Sequence, residues 1–210
     1  MKKTIKTYPL KNIFNAILKR AFDIAFSLFV LVFFLSWMYP LFALIIKLQS
    51  RGPAVYKQLR EGKDGVHFRC FKFRTMYLNK ESDYSWTKVN DPRVTRFGVF
   101  LRRTSLDEFP QFLNVFLGHM SIVGPRPHPI KLNDLYRDCI EKFHSRHKTR
   151  PGITGLAQMK GYRGSITKHH QINSRVKLDR FYIQNWTFLL DLKIILLTIP
   201  ATIHWGLSSK

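Results

Sequence analysis

The sequence predicts an α+β fold, dominated by helices and attached to a membrane. Three observations carry this. The run Ala21–Ile46 holds 26 nearly all apolar residues, enough for a bilayer core of about 20 helical residues. Short alternating apolar runs surround Gly62 and Gly65. Helical apolar spacing recurs in much of the remainder. Hydrophobic residues make up 45% of a 210-residue chain, which excludes disorder and fits one domain of ordinary size. The expected division is a basic segment 1–20, a membrane helix 21–48 and a membrane-associated domain 49–205.

The membrane segment has basic flanks on both sides. Lys2, Lys3, Lys6, Lys11, Lys19 and Arg20 precede it, and Lys47, Arg51, Lys57 and Arg60 follow. The positive-inside tendency would place both ends in the cytoplasm. Pro40 interrupts the run, with Ser36 one turn earlier; a proline removes a backbone bond, and a serine hydroxyl can satisfy a freed carbonyl. A helix that enters the bilayer and returns fits both facts, and an ordinary crossing with balanced flanks stays open. A cleaved signal peptide fits poorly, because the apolar core is too long and no small-residue cleavage site follows.

The middle of the chain reads as short elements. Ser50–Met76 gives two strands joined by a hairpin near "EGKDG". From "NDPRV" onward the spacing predicts a helix from about Val94, a break, and a second helix to about Leu117. Three prolines in five residues make Val123–Pro129 a rigid irregular loop. Leu135, Ile140 and Phe143 place a helix over Asp134–Lys148, and Val176–Trp186 reads as another. The last apolar stretch, Asn185–Trp205, is broken by Asp191, Lys193 and Pro200. Trp186 and Trp205 at its ends favour interfacial burial, with a buried core helix as the alternative.

Net charge is +22, from 35 Lys plus Arg against 13 acids. That points to polyanionic partners: nucleic acid, anionic lipid or phosphorylated substrates. Cys70 and Cys139 belong to no CxxC pattern and are expected to be reduced thiols. The eight histidines form no metal set; His144, His147, His169 and His170 sit in basic surroundings.

Against this background the adjacent acids of "RRTSLDEFPQ", Asp107 and Glu108, stand out. The Ser-x-x-Glu spacing from Ser105 to Glu108 is a capping box and explains Glu108 without chemistry, although Pro110 fits it badly. The alternative is two carboxylates with separate tasks, since neighbouring helical residues point about 100° apart. Arg102 and Arg103 upstream would keep Asp107 ionised and could hold phosphate oxygens. Lys72 and Arg74, two apart on a strand, can share an anion. Arg126 is preorganised between Pro125 and Pro127. In "KGYRG", Tyr162 suits a base and Arg163 a phosphate.

Together these blocks resemble the bacterial sugar transferase family, the monotopic polyprenyl-phosphate phosphoglycosyl transferases. The likeness runs from about Lys19 to about Thr198, through "KRAFDIAFSL", "GPAVYKQLREGKDGVHFRCFKFRTM", "NDPRVTRFGVFLRRTSLDEFPQFLNV", "MSIVGPRPH", "RHKTRPGITGLAQMKGYRG" and "LDRFYIQNWTFLLDLKIILLT". It is nearest to the catalytic region of the undecaprenyl-phosphate glucose or galactose phosphotransferases, and the chain looks like a catalytic-unit-only form. The resemblance implies a re-entrant helix, interfacial amphipathic helices and a place on the cytoplasmic face of the bacterial inner membrane, among anionic lipids. It implies transfer of a sugar 1-phosphate from a UDP-sugar to polyprenyl phosphate, with release of UMP, as the first membrane step of exopolysaccharide, capsule, O-antigen or glycoconjugate synthesis. Asp107 takes the role of nucleophile in a covalent intermediate and Glu108 that of Mg²⁺ ligand. Arg102 and Arg126 match active-site cations, and Lys72, Arg74 and Arg163 match phosphate or nucleotide contacts. A homodimer is compatible with the family; a nucleic-acid partner is not expected. Departures fall at His119, where relatives have an acid, at Leu156 for tryptophan, at Ser165 for glutamate, and at the spacing of Ser36 and Pro40. The rival readings are a membrane-tethered nucleic-acid binder, which lacks a recognition motif, and an inactive scaffold, against which the intact acid pair argues.

Overall fold

The computed structural model describes residues 8–78, 91–162 and 169–208, excluding the side chains of 169 and 199–208. A 3-10 turn at Pro9–Lys11 leads to Asn12, whose Oδ1 accepts from Phe14 N at 2.9 Å and caps α1 (Ile13–Val30). A π-helical segment, Leu31–Leu35, joins α1 to α2 (Ser36–Gln49). The apolar helix therefore continues for 37 residues, roughly 55 Å at the α-helical rise. Its irregularity falls one turn ahead of the expected place. The Ser36 N–H turns to Leu31 O, and Ser36 Oγ donates to Val32 O at 2.5 Å. Pro40 then sits inside α2 without ending it.

One stripe of this helix is buried: Lys19, Asp23, Ser27 and Val30 on α1, then Met38, Phe42 and Ile46 on α2. The three-to-four spacing puts them on one face. Phe33, Trp37 and Leu44 on the other faces are more than half exposed. Such a continuous apolar surface is suited to lipid. The two ends of the helix dock separately. Phe22 and Phe26 pack on a core of Phe68, Val115, Met120, Ile122, Tyr182 and Ile194; Met38, Phe42 and Ile46 pack with Phe73 and Leu101.

The expected hairpin is present. Strand β1 (Val55–Glu61) pairs antiparallel with β2 (His67–Phe73), placing Tyr56 opposite Lys72. Gly62 N donates to Val66 O at 2.8 Å across the turn, where Gly65 takes φ +82°. Helix α3 (Arg96–Thr104) begins two residues after the expected Val94, capped by Thr95 Oγ1, which accepts from Gly98 N at 2.9 Å. Glycine is required there: a Cβ on Gly98 would lie 2.1 Å from Thr75 O.

After a 3-10 turn, Leu106–Glu108, comes α4 (Gln111–Phe116) and then β3 (Ser121–Val123). Helix α5 (Ile130–Arg137) follows the proline loop, and β4 (Gly152–Thr154) pairs parallel with β3. Short α6 (Leu156–Met159), then α7 (His169–Gln184) and α8 (Phe188–Ser208), complete the chain.

Two expectations need correction. The helix placed over Asp134–Lys148 is split: α5 ends at Arg137, Lys142 takes φ +60°, and Phe143–Lys148 is a 3-10 turn. Packing outweighs periodicity here. Ile140 and Phe143 bury with Ile172 and Val176 of α7, while Leu135 is left 61% exposed. Trp186 is not an interfacial ring. It is buried and donates from Nε1 to Asp191 Oδ2 at 3.0 Å. Helix α8 carries Asp191 and Ile194 into the core, as the buried-helix alternative expects, and leaves Leu189 and Leu196 exposed.

Candidate active site

The acid pair sits on a turn that the sequence shapes locally. Helix α3 ends at Thr104, and Ser105 reverses the chain with φ +58°. Left-handed geometry is unfavourable for a serine, so surrounding contacts must hold it. The capping box does not form: Ser105 makes no side-chain cap bond, its N–H donates to Arg102 O at 3.3 Å, and its carbonyl accepts from Glu108 N at 3.2 Å. In the 3-10 turn residues three apart eclipse. Leu106 and Phe109 accordingly both pack on the Met38–Phe42–Phe73 cluster. Asp107 and Glu108 are turned away from that face. Pro110 does no harm because it precedes α4.

Asn114 of α4 docks this unit on β2. Its Oδ1 accepts from Phe71 N at 2.9 Å and its Nδ2 donates to Arg69 O at 2.8 Å. A two-stranded ribbon has an open edge, and one amide satisfies it as a third strand would. Lys72, the next residue along, is thereby brought to the acids. Lys72 Nζ lies 2.6 Å from Glu108 Oε1 and 3.9 Å from Asp107 Oδ2. From the opposite side Arg126 takes Glu108 in a two-bond fork, Nη2 to Oε1 at 2.5 Å and Nη1 to Oε2 at 3.1 Å. Bidentate, charge-assisted pairs of this kind are the strong ones.

The two neighbouring carboxyls are driven apart. For Glu108, burial works upward, but Arg126 and Lys72 outweigh it and hold the group well below the usual carboxylate range. For Asp107, burial dominates. Glu108 adds to it, Lys72, Arg102 and Arg126 oppose it, and the carboxyl is pushed up to about 6. The arginine-rich approach thus does not by itself keep Asp107 at an ordinary carboxylate pKa; desolvation is the larger effect. The pair still does not share one proton, because Glu108 is fully neutralised by its cations. The arrangement sets a carboxyl pushed up to about 6 beside one held well below the usual carboxylate range, the kind of contrast found at functional sites.

The other expected residues divide. Arg102 is part-buried, donates from Nε to Thr75 Oγ1 at 2.8 Å, and acts on Asp107 through its charge. Arg74 has another task. Its Nη1 and Nη2 donate to Arg51 O and Ser50 O at 2.8 and 2.6 Å, fastening the α2–β1 connection, so the two-residue spacing from Lys72 does not build a shared anion seat. Arg163 and Ser165 lie outside the described residues. His119 is exposed and stacks on Phe68; Leu156 is in the core. His147 faces Glu61 at 3.6 Å. Among the described residues no group of three or more His, Cys, Asp or Glu is arranged to hold a metal.

Sequence reasoning missed several contributors. Asn114 and Thr75 place Lys72 and Arg102, and Arg60 and Arg146 reach into the loop of Arg126. An asparagine in "QFLNVF" breaks an otherwise apolar helix, which is a signal; Arg146 in "HSRHK" is indistinguishable from surface charge.

The chain is similar in sequence to several curated proteins. The chain is 47% identical over 193 residues to the UDP-glucose:undecaprenyl-phosphate glucose-1-phosphate transferase of Escherichia coli, an alignment covering 91% of this chain and 41% of that protein. It is 41% identical over 194 residues to the protein of that name from Caulobacter vibrioides, covering 92% and 72% respectively. It is 44% identical over 197 residues to the exopolysaccharide production protein PSS of Rhizobium leguminosarum bv. phaseoli, covering 91% and 98%. The chain thus spans about two fifths of the Escherichia and Klebsiella relatives and nearly all of the Rhizobium one. The family model for bacterial sugar transferases matches residues 14–205, and the chain belongs to that family.

Proposed function

We propose that the protein transfers a sugar 1-phosphate from a UDP-sugar to a polyprenyl phosphate at the cytoplasmic face of the bacterial inner membrane. The observation that carries this is the acid pair itself: Asp107, pushed up to about 6, beside a Glu108 pinned by Lys72 and Arg126. The names of the relatives, which specify UDP-glucose and undecaprenyl phosphate, support this reading and make UDP-glucose the first donor to try.

The chemistry runs in two displacements. An Asp107 carboxylate oxygen attacks the phosphorus that bears the sugar, and the bridging P–O bond breaks to release UMP. The phosphate oxygen of the polyprenyl acceptor then attacks the same phosphorus. It frees the Asp107 carboxylate and forms the lipid diphosphate sugar. Splitting one displacement into two is the general gain of covalent catalysis. Lys72 and Arg126 lie where phosphate charge would be neutralised, and Arg102 adds to the field. Mg²⁺ suits the donor set in kind, since that ion binds through one or two carboxylates together with substrate phosphates. Glu108 would hold it, with Lys72 and Arg126 passing from Glu108 to the substrate. The ion would supply charge neutralisation at the diphosphate.

Re-entry of the long helix is part of the same reading. A helix crossing a bilayer of about 30 Å carries its far end away from a domain on the near side. Here residues near both ends, Lys19 and Ile46, are buried against the domain. Lys19 and Asp23 make their polar contacts within it. Probes at Lys11 and Lys57 are expected to label from one face of inverted vesicles; labelling from opposite faces refutes re-entry.

The decisive experiment measures UMP release by purified protein with undecaprenyl phosphate, Mg²⁺ and a panel of UDP-sugars. UDP-glucose is expected to give the fastest release. Incubation with UDP-sugar alone is expected to leave a phosphosugar adduct on the peptide containing Asp107. An Asp107→Asn variant that still turns over refutes the assignment.

A further inference from the structure

The Val123–Pro129 loop is held carbonyl by carbonyl. Val123 O receives Lys19 Nζ at 3.0 Å. Pro125 O receives Gly152 N at 3.0 Å. Arg126 O receives Arg146 Nη2 at 2.7 Å, and Pro127 O receives Arg60 Nη1. The two bonds adjoining the Arg126 side chain thus both come from guanidinium groups of other elements.

Arg146 is the stronger case. It is 1% exposed. Its Nε donates to Asp179 Oδ2 at 3.1 Å, and its Nη1 lies 2.7 Å from His128 Nδ1. Asp179, on α7, is 2% exposed. A buried ion pair seldom adds stability over apolar packing, so its presence calls for another reason. A planar guanidinium spreads its donors over three nitrogens in a rigid fork, here toward a carboxylate, an imidazole and a backbone carbonyl; a lysine's donors all leave one nitrogen on a flexible stem, and an apolar side chain has none.

We propose that Arg146, oriented by Asp179 and His128, is a positioning residue that fixes where the Arg126 guanidinium emerges beside Glu108, with Arg60 completing the hold from β1. Arg146 touches no reacting atom in this scheme and acts only through Arg126. The proposal rests on the transferase reading for its kinetic readout.

The test is a double-mutant cycle on kcat and KM for UMP release, using Arg126→Ala, Arg146→Lys and the double variant, with Asp107→Asn as control. Arg126→Ala is expected to lower kcat/KM by about 10²–10³-fold, the scale of one lost charge-stabilising donor. Arg146→Lys is expected to lower it about 10–100-fold, mostly in kcat, as a misplaced group does. The double variant is expected to match Arg126→Ala within about twofold, since residues acting as a unit are not additive. Losses that multiply in the double variant, or an Arg146→Lys enzyme as fast as wild type, overturn the proposal. If Arg146→Lys fails to fold by circular dichroism, Arg60→Lys, whose site is only part-buried, replaces it with the same expectations and the same overturning results. The cycle is repeated on UDP affinity, which needs no turnover and decides the question even for an inactive preparation. An active Asp107→Asn control instead sinks the transferase reading, while an inactive control with additive losses sinks only the positioning role.

Discussion

Two charge clusters in this molecule, one buried and one half-buried, differ in balance. At the root of the long helix, Lys19 Nζ reaches Asp191 Oδ2 at 2.6 Å, Tyr182 OH at 3.1 Å and Val123 O at 3.0 Å. Asp191 also receives Tyr182 OH at 2.7 Å and Trp186 Nε1 at 3.0 Å. All three ammonium protons have an acceptor, and both carboxylate oxygens have donors. At the acid pair, Glu108 is equally well served, but Asp107 is not. Its nearest cation, Lys72, stands at 3.9 Å, and burial pushes the carboxyl up to about 6. A completed network ties elements together, whereas an incomplete one leaves a carboxylate desolvated and reactive. Completeness, rather than charge, separates the cluster at the helix root from the one proposed to be catalytic.

The largest test of that contrast exchanges the consequences. Asp107→Asn is expected to abolish UMP release, by at least about 10³-fold, and yet to stabilise the fold. The native carboxyl holds its proton more tightly than the unfolded one. Folding is therefore most favoured below the unfolded pKa of about 4, and that advantage is lost as pH rises through about 6. The shift corresponds to at most about 3 kcal/mol at neutral pH. A lower melting temperature for Asp107→Asn than for wild type would break the comparison. Lys19→Met is expected to do the opposite, destabilising by about 3–5 kcal/mol because Asp191 is left buried without its cation. Chemical denaturation measures this, and a loss under about 1 kcal/mol would show that the network is not complete in the sense argued.

A smaller effect is the pH dependence. kcat/KM should rise with pH along an apparent pKa of about 6, reporting ionisation of free Asp107. Arg102→Gln removes one cation that favours the ionised form and should move that midpoint upward; a midpoint that moves down refutes the charge assignment. The smallest expected change is Ser105→Gly. It relieves the positive φ and should be neutral to stabilising, by up to about 1 kcal/mol, with turnover retained.

Much of this was legible in the chain. The hairpin at "EGKDG", the apolar helix, the proline loop around Arg126 and the paired acids are each encoded within a few residues. Turn chemistry, periodicity and proline restriction act over that range. The failures are instructive for the same reason. Ser105 and Glu108 have capping-box spacing, but Arg126 and Lys72, 18 and 36 residues away, bind Glu108 more strongly than a backbone N–H could. Arg74 has the right spacing to work with Lys72, but it lies just past the strand end, within reach of the Ser50 and Arg51 carbonyls. Trp186 looks like a headgroup ring until Asp191, five residues on, is folded beneath it. Ile140 and Phe143 keep helical spacing and bury without a helix, because α7 supplies their partners.

By itself, then, the sequence determined which local shapes the chain adopts and which residue types are available for phosphate chemistry, because both depend on neighbours along the backbone. The tertiary structure decided which carboxylate is neutralised and which is left desolvated, which arginines reach the acids and which hold carbonyls, and which residues of the apolar helix are buried. Those outcomes depend on distances of 2.6–3.9 Å between residues up to 172 positions apart. Coulomb and hydrogen-bond energies fall off over such distances in space and are blind to separation along the chain.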